Sequence, residues 1–188
     1  MATQVSNVSA VKPRIGGCVF RAPLGTTLPT DATTALNSAF VDMGYISDDG
    51  ITESNEREGE DVKAYGGDTV ATLQTGKTDT WDMTFIEVKN TEVLKAVYGD
   101  TNVTGALTTG ISVSVNSKEL ESAVWVIDQI MNGGTLMRTV IPRGKITEVG
   151  EVTYQDGEVT GYKATIKGFP HEGFSDNATA KKYIVDAE

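Results

Sequence analysis

Histidine and cysteine are nearly absent from this 188-residue chain, which has only His171 and Cys18. A zinc ligand set built on those two residue types is excluded. So is an internal disulfide, and a single thiol fits a reducing site of synthesis. No apolar run approaches the roughly 18 residues that mark a membrane-spanning helix. The opening stretch, Met1 to Pro13, is polar and lacks the apolar centre of a secretory leader. Bases are scarce: 16 Lys and Arg face 26 Asp and Glu, for a formal net charge of -10. Such a balance argues against a surface made to grip nucleic acid or an anionic membrane. What remains is ordinary globular usage, 39 % hydrophobic and 22 % charged, with 20 glycines. The length suits one domain, or one domain with extended arms.

The hydrophobic pattern has a period of two over most of the chain. Trp81, Met83 and Phe85 alternate with polar residues and predict a half-buried strand over 78–87. Ile111, Val113 and Val115 predict a second, and Val159, Tyr162, Ala164 and Ile166 a third, irregular near Gly161. The run Ala123-Val124-Trp125-Val126-Ile127 is apolar on both faces and β-branched, so it reads as a buried strand. Asn132-Gly133-Gly134 and Asp156-Gly157 are hairpin turns by composition. They pair 123–131 with 135–142, and 146–154 with 158–168. Pro142 points to an edge or an exit at the end of its strand. Further strands are expected near 15–20, 39–46 and 62–74. One helix is expected, capped by Asn90 or Thr91, stopped by Gly99, with Val93, Leu94, Val97 and Tyr98 as its apolar stripe.

Two stretches do not read as core. Residues 1–14 form a polar arm. Residues 47–61 hold Asp48, Asp49, Glu53, Glu56, Glu58, Glu60 and Asp61 against the single base Arg57, with Ile51 the only aliphatic residue. Lying between strand-like segments, 47–61 is expected to be a long hairpin loop, of the kind that is either functional or simply solvated. Chemistry is hard to find. His171 lies near a strand end and reads as a surface residue, while Cys18 reads as a buried, inert thiol. The acids lack the spacing of a calcium loop. The two tryptophans are too far apart to frame a glycosidase cleft. Gly66-Gly67-Asp68 reads as a turn, with no lysine–serine pair or helix after it. No catalytic residue, metal site or cofactor is expected, and the chain reads as a non-enzyme.

An ordered series of phrases carries a resemblance. Gly44-Tyr45-Ile46-Ser47-Asp48-Asp49-Gly50-Ile51 is followed by Val62-Lys63-Ala64-Tyr65-Gly66-Gly67-Asp68, then by Leu73-Gln74-Thr75-Gly76-Lys77-Thr78-Asp79-Thr80. Glu92-Val93-Leu94-Lys95-Ala96-Val97-Tyr98-Gly99 comes next, and Trp125-Val126-Ile127-Asp128, Ile141-Pro142 and Lys145-Ile146-Thr147-Glu148-Val149-Gly150 complete it. Over roughly 13–170 the series resembles the major tail (tail tube) protein of long, non-contractile-tailed bacteriophages. The resemblance implies a mainly β fold, a β-sandwich or split barrel with one short flanking helix. Its domain plan is an arm over 1–14, a tube domain over 15–173 and a C-terminal tail over 174–188.

The resemblance also implies six copies in a ring and rings stacked into a tube through which DNA is ejected without specific binding. Tape-measure, tail-terminator and baseplate or distal tail proteins are the implied partners. The implied location is the virion tail, assembled in the host cytoplasm, with no membrane involved. In such a tube Asp48, Asp49, Ile51, Glu53, Glu56, Arg57, Glu58, Glu60 and Asp61 become an inter-ring or subunit contact. An inner wall over which DNA slides should be negative, and Asp82, Asp128, Glu148 and Glu151 are candidates for it, the exterior being the other place for each. Two alternatives stand beside this reading: a monomeric β-sandwich binding or adhesion module, and the tube protein of a contractile injection machine.

Overall fold

Asn132, Gly133 and Gly134 make the tight turn their composition predicts, with Gly133 at φ 79° and Gly134 at φ 88°, a backbone region open to glycine. The turn joins β8 (Ala123–Met131) to β9 (Leu136–Val149), the two central strands of the protein. The computed structural model describes residues 3–174 and 176–186. Around the central pair stand β1 (Val11–Pro13), β2 (Val19–Pro23), β3 (Val41–Asp42), β4 (Ile46–Lys63), β5 (Thr69–Phe85), β10 (Tyr162–Gly168) and β11 (Lys181–Val185). They form one nine-stranded antiparallel sheet in the order β3-β2-β8-β9-β10-β5-β4, with β1 also on β8 and β11 also on β9. A separate hairpin, β6 (Val103–Ala106) and β7 (Gly110–Val113), follows the only α-helix among the described residues, α1 (Thr91–Tyr98). The mainly β architecture with one short helix is the expected one.

Helix α1 forms for the expected reasons. Asn90 accepts a hydrogen bond from the Glu92 amide at its start, and Gly99, at φ 101°, ends it. Val93, Leu94 and Val97 are buried against Trp81, Met83, Phe85, Trp125, Ile127, Ile141 and Ile166 on one face of the sheet. The opposite face of β8 and β9 is covered as well. Val126 and Val140 pack there with Phe20 of β2, with Leu28, Leu36 and Phe40 from the irregular 24–40 segment, and with Phe174 from the chain after β10. Coverage on both sides explains why the run from Ala123 to Ile127 is apolar at every position.

Several expectations need correction. Residues 47–61 are not a loop: they lie in β4, paired with β5 from Ile51↔Met83 to Lys63↔Thr69, and the true turn is Ala64–Asp68. Backbone pairing satisfies the strand although neither face buries an apolar stripe, so no hydrophobic period marks it. The turn also splits the strand expected over 62–74. The 174–188 tail is largely structural: Phe174 is buried and Lys181–Val185 pairs with Val140–Leu136 of β9. Ser175, Ala187 and Glu188 lie outside the described residues, as do Met1 and Ala2 of the arm, whose β1 segment pairs with β8. Pro142 is fully buried inside β9 rather than at an edge. β10 pairs with 144–149 and β11 with 136–140, so Pro142 falls between them, beside the β8 irregularity at Ala123/Trp125, where no ladder amide is required. The second hairpin is also shorter than expected, since β9 ends at Val149 and the 151–161 connection is not strand. The irregularity of β10 lies at Thr165/Ile166, not at Gly161.

Candidate functional site

The β4–β5 hairpin is the most unusual feature of the surface. Along β5, pairing with β10 runs from Phe85↔Tyr162 to Thr80↔Lys167 and stops there. Toward the turn, β5 has only β4 as its ladder partner, and every residue from 55 to 75 is exposed. Between Asn55 and Lys63 the ribbon reaches about 30 Å at the usual strand rise. Among the exposed residues of this ribbon are Val62, Tyr65, Val70 and Leu73. Over 46–85 the hairpin holds ten acids and three bases, a net of -7 in a chain whose total is -10.

The predicted contact residues therefore lie along one hairpin, not in a loop, and of them Glu56, Arg57, Glu58, Glu60 and Asp61 fall on its exposed rod. Asp48 and Asp49 sit before the irregularity at Gly50 (φ 75°), where β4 enters its ladder. They line a cavity of about 950 Å³ together with Lys12, Arg14, Asp42 and Glu87. Ile51 is half-buried at the edge of the core. Glu56 and Glu58 pair with Thr78 and Gly76, and Glu60 with Leu73. Arg57 donates to Gln74 Oε1 (3.0 Å), and Asp61 accepts from the Thr72 hydroxyl (2.7 Å). Glu53 forms an ion pair with Lys182 of β11 (2.6 Å).

At the root of the rod lies Asp79, only 5 % exposed. Its carboxylate accepts from Lys77 Nζ (2.6 Å), from Asn55 Nδ2 and from the Thr179 hydroxyl. Burial pushes the carboxyl pKa up, but the bonds from Lys77, Thr179 and Asn55 outweigh it and hold the group below the ordinary carboxylate range. Sequence reading passed over Asp79. Its place two residues before Trp81, on the core-facing alternation, was the available signal.

The four acids proposed for an inner wall divide. Asp82 and Glu148 both pair with Thr165, on the sheet face opposite the core, and Asp82 accepts the Thr165 hydroxyl. Lys163 and Lys167 of β10 share that face. Glu151 is exposed beyond the end of β9. Asp128 cannot line any wall: it is 4 % exposed and held by Arg138 through Nε–Oδ1 (2.6 Å) and a second bond of 2.7 Å. A partner directly across the ladder, on β9, determines this burial, and the single strand gave no sign of it.

Cys18 is buried, and burial together with the charges of Asp128 and Asp42 pushes its thiol up to about 11, so it is not a ready nucleophile. His171 Nδ1 accepts the Gly173 amide (2.8 Å) in a local turn. Among the described residues no cluster of His, Cys, Asp or Glu could hold a metal ion, and no helix is long and apolar enough to cross a membrane.

No curated protein matches the chain. The family model described as "Phage tail tube protein" matches residues 5–178, which take in the hairpin, the helix and every strand of the sheet except β11. On that match the chain belongs to the phage tail tube family: it is a structural protein of the virion tail that associates with itself and with other tail components.

Proposed function

We propose that six copies of the chain close into a ring, that rings stack, and that the resulting tube conducts DNA during ejection. The observation that carries this reading is the exposed rod over 55–75 in a chain of the tail tube family. A two-stranded ribbon with both faces in water gains little from burial and is marginal alone. Its exposed Val62, Tyr65, Val70 and Leu73 gain a role once a neighbouring copy covers them. Two such rods, each strongly acidic, repel when placed side by side. The rod therefore seats against the body of a neighbour rather than against another rod, and because that body is also net negative, assembly should strengthen with salt as the repulsion between copies is screened.

The open polar face of β4, β5, β10 and β9 is the wall we assign to the conduit. It presents Thr52, Ser54, Thr80, Asp82, Thr84, Lys163, Thr165, Lys167 and Glu148 in alternation with the buried core positions. Its two acids and two lysines cancel, so this wall is mixed rather than the negative one expected; hydroxyl-rich and without an apolar stripe, it offers DNA no continuous row of cations to hold it. A tape-measure protein inside the growing tube, and terminator and distal tail proteins at its ends, are the partners this assembly requires, in the host cytoplasm where it is made.

The test is sedimentation and negative-stain imaging across a concentration and salt series. The intact chain should give rings and tubes. A variant in which the 57–77 ribbon is replaced by an Asn-Gly turn should stay folded but fail to extend tubes. Tubes formed equally well by that variant would overturn the assigned role of the rod, and a strictly monomeric parent under all conditions would overturn the tube.

A further inference from the structure

We propose that the C-terminal segment clasps the root of the β4–β5 hairpin, with Asp79 as the positioning residue that fixes the angle at which the hairpin leaves the body. The consequence for assembly rests on the reading of the hairpin as the contact arm; the clasp itself does not.

Four observations converge on this root. First, β5 loses its β10 neighbour after Thr80↔Lys167, so Asp79 is the first residue of the freestanding ribbon. A ribbon of two strands twists and bends far more readily than a multistranded sheet. A hinge would form there unless something crossed it. Second, the donors to Asp79 come from both sides of that point: Asn55 of β4 and Lys77 of β5 belong to the hairpin, while Thr179 belongs to the chain leading into β11. Third, Lys182 reaches Glu53, whose ladder partner is Trp81, and adds a second tie one step closer to the body. Fourth, Thr179 fills the space where β10 ends. A Cβ placed on Gly168 would come within 3.4 Å of Thr179 Cβ and 2.9 Å of Trp81 Cζ3, so strand end, clasp and hairpin root are in packing contact.

The clasp is anchored on rigid structure. Lys181–Val185 pairs residue by residue with β9, and Phe174, just upstream, is buried against Val126 and Val140. Asp79 is therefore bonded to an element tied to the centre of the sheet. A buried carboxylate with donors from three segments holds their relative positions more tightly than a surface ion pair, because each donor lost leaves a charge short of a partner.

The experiment measures the hairpin angle in the full chain, diluted below the concentration at which it assembles. Spin labels are placed on Tyr65→Cys at the tip and Lys89→Cys on the body, both exposed, while the buried Cys18 stays unlabelled. The parent should give one narrow distance distribution. Asp79→Ala should broaden it, with the displaced population rising about tenfold or more, the factor expected for loss of hydrogen bonds to a charged group. Thr179→Val, which keeps the side-chain shape and removes only the hydroxyl, should broaden it in the same sense, and Thr179→Ser should restore it. Amide exchange in β8 and β9 should not change in any of these variants. An unchanged distribution in both Asp79→Ala and Thr179→Val overturns the clasp, as does broadening matched by equal loss of protection in β8 and β9. If Asp79→Ala does not fold, the Thr179 pair decides alone. Broadening with normal tube growth supports the clasp and overturns the need for a fixed hairpin angle in assembly, while the 57–77 replacement tests the hairpin itself, so the two ideas fail separately.

Discussion

Replacing Arg138 with methionine should be among the most damaging single changes in this protein. Arg138 is 1 % exposed and spends its guanidinium on four acceptors: both oxygens of Asp128 at 2.6 and 2.7 Å, and the carbonyl oxygens of Asp31 (3.0 Å) and Thr34 (2.8 Å). Methionine fills much of the volume but leaves the Asp128 carboxylate buried, with only Arg14 near it at 3.4 Å. Breaking one side of a buried pair costs about 3–5 kcal/mol. The two carbonyls add less, since Thr34 is exposed and Asp31 partly so, and water can replace the donor there. Against a total stability of about 5–15 kcal/mol, the loss is roughly a fifth of the total at the least and all of it at the most. Urea unfolding followed by tryptophan fluorescence should show a lower midpoint with an unchanged slope. The double variant Arg138→Met with Asp128→Leu should recover most of the loss, because no charge then remains buried. A cost below about 1 kcal/mol for the single variant, the scale of an exposed ion pair, would refute the reasoning.

Trp81 and Trp125 are each 2 % exposed, but Trp125 Nε1 donates to the Gly144 carbonyl (3.3 Å) whereas Trp81 Nε1 is buried without an acceptor among the described residues. Trp81→Phe should therefore cost about 1–2 kcal/mol less than Trp125→Phe in the same urea assay, and the reverse order would contradict the assignment. A thiol reagent at pH 8 should label Cys18 only as fast as the chain unfolds, given its burial and its raised pKa of about 11; immediate native-state labelling would show an open site. The Asp79 carboxyl is held below its unfolded value near 4, so its contribution is complete above about pH 4 and disappears as the pH falls through the lower folded value. Amide exchange along β4 and β5 should accordingly rise in that acid range in the parent and be flatter with pH in Asp79→Asn.

Much of the fold was legible because local chemistry and tertiary packing agree. Asn132-Gly133-Gly134 specifies its turn, Asn90 and Gly99 bound the helix, and the Trp81–Met83–Phe85 alternation faces the core as its period requires. The hairpin rod was illegible for the complementary reason. From residue 55 to residue 75 neither face is buried, so burial imprints no period, and a dense set of acids looks the same in a solvated strand as in a loop. Asp128 misled because its strand neighbours say nothing of Arg138, ten residues on and directly across the ladder. Pro142 misled because the gap between β10 and β11 is a property of three strands, which no single strand records. Asp79 escaped notice among many acids, and what distinguishes it is a hydroxyl one hundred residues away.

The β8–β9 turn gathers both ends of the described chain. Val11 lies opposite Met131 and Val185 opposite Leu136, while Ser9 Oγ accepts the Asn132 amide (2.8 Å) and Thr135 donates to Asp186 (2.5 Å). Across the order β1-β8-β9-β11 the two ends stand about three strand spacings apart, or some 14 Å, a gap that roughly five or six residues can bridge. Peptides fused beyond these two strands would start from one rim, close enough to crowd one another. A circular permutant, bridged at that rim and opened at the Asp156-Gly157 turn, would keep every strand pairing while moving the attachment point to the connection between β9 and β10, at the other end of β9.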